Sequence, residues 1–349
     1  MERLDFIILG ATGFTGKYVA KHLAKLCEHP DYISLKWGVC GRSKEKLNGL
    51  KKELIKIGDR TSEILSLICD IPSGDLKAVT SQAKVVINCT GPNTILSEPI
   101  VKACIETSTD YVDISAELFQ MLDIYEKYNK SAEQSNVLII PACGFSSIPV
   151  ASGLIYLEKY FKGAIRTVQC YTRLDIPLRA YIPWANNCLI NSGTWESMIH
   201  VFHKLPEHAQ LKNKLFPENA HNPVPQELKK MKCFRRLLIK HPRIFSAGYA
   251  THKGPSANNV RETKFTMTFI GKGQDENGKE KNITAKVSGA DPGYETTSTF
   301  LIISALTTLS ERSKMPKGGV VAAAAAFHDT NIVQTIQNFK CLQFEIVSS

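Results

Sequence analysis

Short apolar runs alternate with longer amphipathic stretches through residues 1–149. The runs are Phe6–Leu9, Leu35–Cys40, Ile64–Cys69, Lys84–Cys89, Tyr111–Ile114 and Val137–Ile140. Continuous apolar runs this short suit strands buried on both faces of a parallel sheet. Between them the spacing changes to that of helices. Tyr18, Val19, Leu23 and Leu26 follow the first run. Further helices are predicted over Lys44–Ile57, 73–83, Pro99–Glu106 and Glu117–Gln134. Strand and helix in regular alternation predict an α/β fold with a doubly wound parallel sheet.

Beyond Pro149 the pattern changes. Val150–Phe161 reads as a helix and Ile165–Leu174 as a strand. Residues 191–196 read as a loop into a helix that is capped by Thr194 and ends at Leu205. Residues 206–227, rich in Pro, Asn and His, read as a surface loop. Residues 264–271 and 282–289 alternate around the polar segment Lys272–Lys281, which predicts a hairpin. An apolar helix over Ser298–Ser310, a Gly-Ala run over 318–327 and a closing strand over Gln343–Val347 complete the chain. This half is expected to be a separate α+β domain of mixed sheet, residues 150–349.

Composition narrows the function. The net charge of +10 leaves room for an acidic ligand, an anionic lipid surface or nucleic acid. No nucleic-acid reader motif accompanies the charge, so no nucleic acid is expected. The 10 cysteines are scattered, without C-x-x-C or zinc spacing, so no metal is expected and the thiols are expected to be reduced. The start runs straight into the first strand, which leaves no room for a signal or transit peptide. No run of about 18 apolar residues predicts a membrane span. The expected place is intracellular and cytoplasmic. One segment, Lys229–Arg243, carries seven Lys or Arg, no acid, and interleaved apolar residues. It reads either as a peripheral contact with anionic lipid or as a helix packed on its own domain.

The candidate chemistry starts at the first strand. It ends at Gly10, and Gly10, Gly13 and Gly16 form G-x-x-G-x-x-G as the helix opens. Gly10 allows the tight turn, Gly13 lets a pyrophosphate approach the backbone, and Gly16 lets the helix pack closely. Gly10, Thr12, Gly13, Phe14, Thr15 and Gly16 are therefore expected to contact a dinucleotide at a helix N-terminus, in a Rossmann domain. At the end of the second strand an acid would accept from a ribose 2′-OH, but the chain reads Gly41-Arg42-Ser43. Arg42 and Ser43 suit a 2′-phosphate, which predicts NADP(H) in preference to NAD(H). Ser43 also reads as the N-cap of the next helix. Asp70, at the third strand end, reads as an adenine contact or a turn acid. Thr90 and Gly91 stand at the carboxyl end of a central strand, where such sheets bind ligands. Polar candidates for the chemistry at strand ends are Asn93, Ser115, Glu117, Ser146 and Ser147. Of these Asn93, Glu117 and Ser146 are the catalytic candidates. Glu117 also reads as a first-turn helix acid, and Ser146 and Ser147 as caps.

Several of these segments together resemble one family. They are Gly10–Gly16, Asn88–Pro92, Glu98–Cys104, Asp110–Asp113, Gly144–Pro149, Gly193–Trp195, Gly254-Pro255 and the run near 318–327. The chain is similar over nearly its whole length to the saccharopine dehydrogenase-like oxidoreductases. The resemblance implies a Rossmann domain (1–149) plus an α+β domain (150–349) used for substrate and often homodimer contacts, and a pyridine-nucleotide oxidoreductase. It implies association with lipid droplets or membranes, as in animal members, and a lipid-related substrate, as for mycobacterial enoyl reductases. The chain departs from the family pattern at Asn93 (an aromatic), Ala116 (a glycine) and Ser146 (an acid). An apolar segment before Lys240-His-Pro242 is absent or much shortened. The expected function is NADP(H)-dependent oxidation or reduction of a hydrophobic or lipid-related small molecule. The alternative is a catalytically silent nucleotide-binding scaffold at a lipid surface.

Overall fold

All six apolar runs are parallel strands of one sheet in the computed structural model, which describes residues 2–58, 64–182, 188–215, 238, 240–251 and 253–348. They are β1 (Leu4–Leu9), β2 (Trp37–Gly41), β3 (Leu65–Ile68), β4 (Ala83–Asn88), β5 (Asp110–Asp113) and β6 (Leu138–Ile140). Their spatial order is β6-β5-β4-β1-β2-β3. Alternate side chains enter opposite faces, as the two-residue period requires. Phe6 and Ile8 join one apolar cluster, Ile7 and Leu9 the other. Helices α1 (Phe14–Leu26) and α2 (Lys44–Ile55) cover the first face. Helices α3 (Leu76–Thr80), α4 (Asn93–Glu106) and α5 (Leu118–Gln134) cover the second. Helix α4 starts at Asn93, well before the expected Pro99. A proline past the first turn removes one ladder bond. Burial of Ile100, Val101 and Cys104 against the sheet outweighs that loss.

In the second half, α6 (Ile148–Phe161) packs on an antiparallel sheet ordered β13-β11-β10-β7. Its strands are β7 (Gly163–Asp175), β10 (Lys264–Asp275), β11 (Glu280–Ala290) and β13 (Leu342–Ser348). Among the described residues, parallel pairing in this half is confined to the two-stranded β8 (Ile190–Asn191) and β9 (Ala250–Thr251), apart from the strand described below. The hairpin strands run further than their alternation suggests, to Asp275 and from Glu280. Helix α7 (Ser192–Leu215) starts before Thr194, which is therefore not its cap, and continues through residues expected to form a loop. It packs on α5. Residues 216–227 of that expected loop, and 229–237 and 239 of the basic segment, lie outside the described residues. The remaining helices are α8 (Pro242–Phe245), α9 (Ala257–Glu262), α10 (Glu295–Ser310), α11 (Ala323–Ala326) and α12 (Ile332–Asn338). No helix among the described residues is long and apolar enough to cross a membrane.

The separation expected between residues 1–149 and 150–349 is incomplete. Helix α10 is buried on nearly every side and packs on α1, β4 and β5. Two of its buried hydroxyls are satisfied within the helix, Ser298 donating to the Glu295 carbonyl and Thr308 to that of Ser304, so these polar positions can be enclosed with the apolar ones. Strand β12 (Gly319–Val320) pairs with Leu138 and Ile139 of β6 as a seventh parallel strand. The second half thus supplies both an edge and a cover to the first sheet.

Helix α1 meets α10 through His22, whose Nδ1 lies 2.9 Å from the Ser298 hydroxyl. Burial holds the imidazole below its usual value, with Glu295 opposing the shift and Lys25 adding to it. The unfolded chain then binds a proton more readily than the folded one. His22 contributes full stability above the usual value of 6.5 and loses it as pH falls through the lower folded one. Thermal unfolding of His22→Gln is expected to depend less on pH across that window than unfolding of the unaltered protein.

Candidate cofactor and substrate site

The turn out of β1 is built for close approach. Gly10 has φ +72°, and a Cβ there would lie 2.9 Å from the Cys89 carbonyl carbon. The Gly13 N–H donates to the Gly10 carbonyl at 2.9 Å and closes the turn. A Cβ on Gly16 would lie 2.2 Å from that same carbonyl oxygen, so only glycine lets α1 sit this close. Gly16→Ala is expected to cost about 1–3 kcal/mol of stability through overpacking, read as a lower midpoint of thermal unfolding. Gly13 is the N-cap of α1, with no side-chain cap and no acid in the first turn. The first N–H groups of the helix and its positive dipole end are left for an anion.

A cleft of about 290 Å³ opens from this turn across the carboxyl ends of β1 to β4. The strand order reverses between β1 and β4, the place where open α/β sheets bind ligands. Gly10, Thr12, Gly13, Arg42, Asp70, Thr90 and Gly91 all line it. Lys46, the third residue of α2, joins them. Asp70 lines the cleft and also builds its own turn, accepting from the Ser73 hydroxyl at 3.1 Å. Ser43 instead caps α2, its Oγ accepting from the Lys46 N–H at 3.2 Å. The Phe14 ring turns away to pack edge-on against Tyr294 at 4.9 Å and beside Tyr18 at 5.5 Å. An uncapped helix start, a glycine turn and two cations with no acid at the end of β2 fit a dinucleotide carrying a 2′-phosphate.

A buried polar chain holds the floor of this cleft. The Thr90 hydroxyl donates to Asn88 Oδ1 (2.6 Å), and Asn88 Nδ2 donates to the Tyr111 oxygen (2.8 Å). Tyr111 donates to Asp113 Oδ2 (2.7 Å). Asp113 Oδ1 accepts from the Ser115 N–H (2.9 Å), the Ser115 hydroxyl (2.7 Å) and the Ala142 N–H (2.8 Å). Burial pushes the Asp113 carboxyl up, against the opposing pull of Ser115, Tyr111 and Ala142. The chain ties the ends of β4, β5 and β6 to the residue that lines the cleft. Its one legible sign was an acid closing an otherwise apolar run, Tyr111-Val-Asp-Ile.

On the other side of the α1 N-terminus lies a second pocket of about 450 Å³, which Thr15 lines. Its walls come from the ends of β5 and β6 and from the second half, including Ile114, Phe145, Leu174, Leu189 and Val260. Ser146 is exposed within it. Among the described residues no Lys, Arg or His lines it, and Asp291 is its one carboxylate. That carboxylate caps α10, accepting from the N–H groups of Gly293 (3.2 Å), Tyr294 (2.9 Å) and Glu295. The Tyr294 phenolic oxygen accepts from the Asn191 N–H at 2.8 Å.

Two of the three catalytic candidates are placed elsewhere. Glu117 is 1% exposed, with Oε2 accepting from the Ala116 N–H (2.9 Å) and Asn93 Nδ2 (3.4 Å). Its Oε1 accepts from the Ser197 hydroxyl at 2.7 Å. Asn93 Oδ1 accepts from the Ser97 hydroxyl at 3.2 Å. These bonds join the starts of α4 and α5 to α7, and neither residue lines either pocket. The reason is the early start of α4, which places Asn93 inside a helix rather than on the bend. Ser147 holds the N-cap place of α6 without making a capping bond.

Comparison with known proteins adds three findings. Residues 6–140 match the sequence model of the saccharopine dehydrogenase NADP binding domain. A Mus musculus saccharopine dehydrogenase-like oxidoreductase is 30% identical, covering 98% of this chain and 97% of its own. A Caenorhabditis elegans lipid droplet localized protein is 26% identical, covering 97% of each. The mouse alignment runs over 424 residues against a chain of 349, so that relative carries segments this chain lacks. Among solved structures, apo saccharopine dehydrogenase (L-Glu forming) of Saccharomyces cerevisiae superposes with a TM-score of 0.54 at 12% identity. It covers 99% of this chain and 100% of its own, a likeness of fold.

Proposed function

From the premise that the chain belongs to the saccharopine dehydrogenase-like oxidoreductase family and carries its NADP-binding domain, we propose that it acts on a neutral, hydrophobic small molecule of lipid-related character. The observation that carries this reading is the second pocket, apolar and without a cation among the described residues. A carboxylate substrate entering it would lose its hydration with no Arg or Lys to replace it. A neutral enoyl or keto compound loses little. The helix α1 N–H groups receive the pyrophosphate, and Arg42 and Lys46 the 2′-phosphate. The bound cofactor supplies or accepts hydride, and the apolar walls exclude water from the reacting carbon.

Fluorescence titration with NADPH and NADH side by side tests the cofactor half. Selective, saturable NADPH binding is expected, and no binding of either would overturn the reading. A substrate screen then compares neutral enoyl and keto lipids with amino-acid imines of the same length. Turnover confined to the imines would overturn the neutral-substrate reading. The name of the worm relative supports a place on lipid droplets, where residues 229–243 would meet anionic headgroups. Flotation with anionic but not neutral vesicles is the expected result. The free edge of β7, exposed along most of its length, is the proposed contact with a second copy. Ser146, exposed in the pocket where the family has an acid, supports the silent-scaffold alternative. Lipid turnover appearing only in Ser146→Asp would favour it.

A further inference from the structure

Reduction in an apolar pocket needs a proton donor at the atom that gathers negative charge. Six hydroxyl or carboxyl groups besides Tyr294 line that pocket: Thr15, Ser146, Thr194, Thr263, Asp291 and Thr297. Thr15 stands in the first turn of α1, at the helix start left for the cofactor phosphates. Thr263 donates to the Asn259 carbonyl at 2.7 Å. Asp291 is engaged by three backbone N–H groups. Thr297 donates to the Pro292 carbonyl at 2.9 Å and accepts from the Phe145 N–H at 3.2 Å. Ser146 is exposed, where its hydroxyl competes with bulk water.

Tyr294 is different. Its side chain is 6% exposed, and it lines the pocket. Its oxygen accepts from the Asn191 N–H at 2.8 Å, which fixes where the phenol points. Its own proton is the unspent capacity, since among the described residues no hydrogen bond uses it. Phe14 and Tyr18, both on α1, hold the ring beside the helix start that receives the cofactor phosphates. We propose that Tyr294 is the proton donor to the substrate oxygen in this pocket, an inference that rests on the oxidoreductase reading above.

The step balances as follows. A neutral carbonyl carbon gains hydride from NADPH, which leaves NADP⁺, and the C–O π pair moves to oxygen. That oxygen takes the Tyr294 proton and becomes an alcohol. The phenolate left behind is held by the Asn191 N–H until water returns a proton. Burial pushes the phenol up to about 12, so the proton is in place at neutral pH. The Asn191 N–H acts in the opposite sense, easing its departure.

The test uses 2-decanone labelled with ¹³C at the carbonyl, bound to the full chain with NADP⁺ so that no turnover occurs. The carbonyl infrared band is expected at lower frequency in the unaltered protein than in Tyr294→Phe. With NADPH, Tyr294→Phe is expected to lose roughly 100-fold or more in kcat, a typical contribution of a positioned acid, with KM and NADPH affinity little changed. Thr194→Val removes another hydroxyl of the same pocket and keeps the phenol, so kcat is expected to change little. An identical band and kcat in Tyr294→Phe would overturn the proton-donor role and leave the substrate reading standing. Failure of the ketone to saturate the unaltered protein would overturn the substrate reading, and this role with it.

Discussion

Replacing Arg42 with alanine is expected to weaken NADPH binding by about 1.5–3 kcal/mol, roughly a ten- to hundredfold rise in Kd, and to leave NADH unchanged. The reason is local. The end of β2 presents Gly41, Arg42 and Ser43, and no acid stands where a ribose 2′-OH would be read. Arg42 and Lys46 line the same cleft, but Ser43 is already committed to capping α2. The guanidinium is exposed, so the effect is expected to shrink as salt is raised. Lys46→Ala is expected to show the same selectivity with a smaller loss, since an ammonium lacks the paired donors of a guanidinium. Side-by-side titration of both variants decides the matter. An Arg42→Ala protein that keeps its NADPH-to-NADH ratio would show that the 2′-phosphate is read elsewhere.

Asp113→Ala is the second large effect, and it falls on stability. The substitution strands the Tyr111 O–H, the Ser115 N–H and hydroxyl, and the Ala142 N–H around a carboxylate that is 2% exposed. At about 1–3 kcal/mol for each buried group left unpaired, with some relief from relaxation, a loss of about 3–5 kcal/mol is expected in urea unfolding. Asp113→Asn keeps an oxygen for Ser115 and Ala142 and is expected to lose less. The same carboxyl sets a pH dependence. Burial raises its folded value above the usual 3.8, so the folded chain binds a proton more readily than the unfolded one. Its contribution therefore favours the fold at low pH and is lost as pH rises through the folded value. In Asp113→Asn that slope is expected to disappear. A cost below about 1 kcal/mol for Asp113→Ala would mean that the chain from Thr90 to Ala142 does not hold the strand ends.

The parts of the fold written in local pattern were readable from the chain. Five buried strands, a sixth at the exposed edge (β3), the glycine turn, the Ser43 cap and Arg42 at a strand end each depend on neighbours within a few residues. What escaped was decided by distant partners. Asn93 and Glu117 sit at strand ends like real site residues. Their side chains instead meet each other and Ser197, far along the chain. Tyr294, the proposed proton donor, carried no local signal, because its setting comes from Asn191 and Phe14, brought together only by folding. Helix α7 crosses Pro206 into a stretch whose composition favours a loop, held by packing on α5. The pair Gly319-Val320 is too short to show any period, yet it completes the main sheet.

That last pairing governs the order of events on the ribosome. The first six strands emerge early, but the open side of β6 waits for Gly319 and Val320, and one face of β4 and β5 waits for α10. At about 5–20 residues per second, the nascent sheet stays unfinished for on the order of ten seconds or more. During that interval a bare strand edge and an uncovered apolar face are both open to wrong partners. A fragment released at residue 149 would keep both permanently, and would invite aggregation or chaperone capture rather than behave as a free nucleotide-binding module.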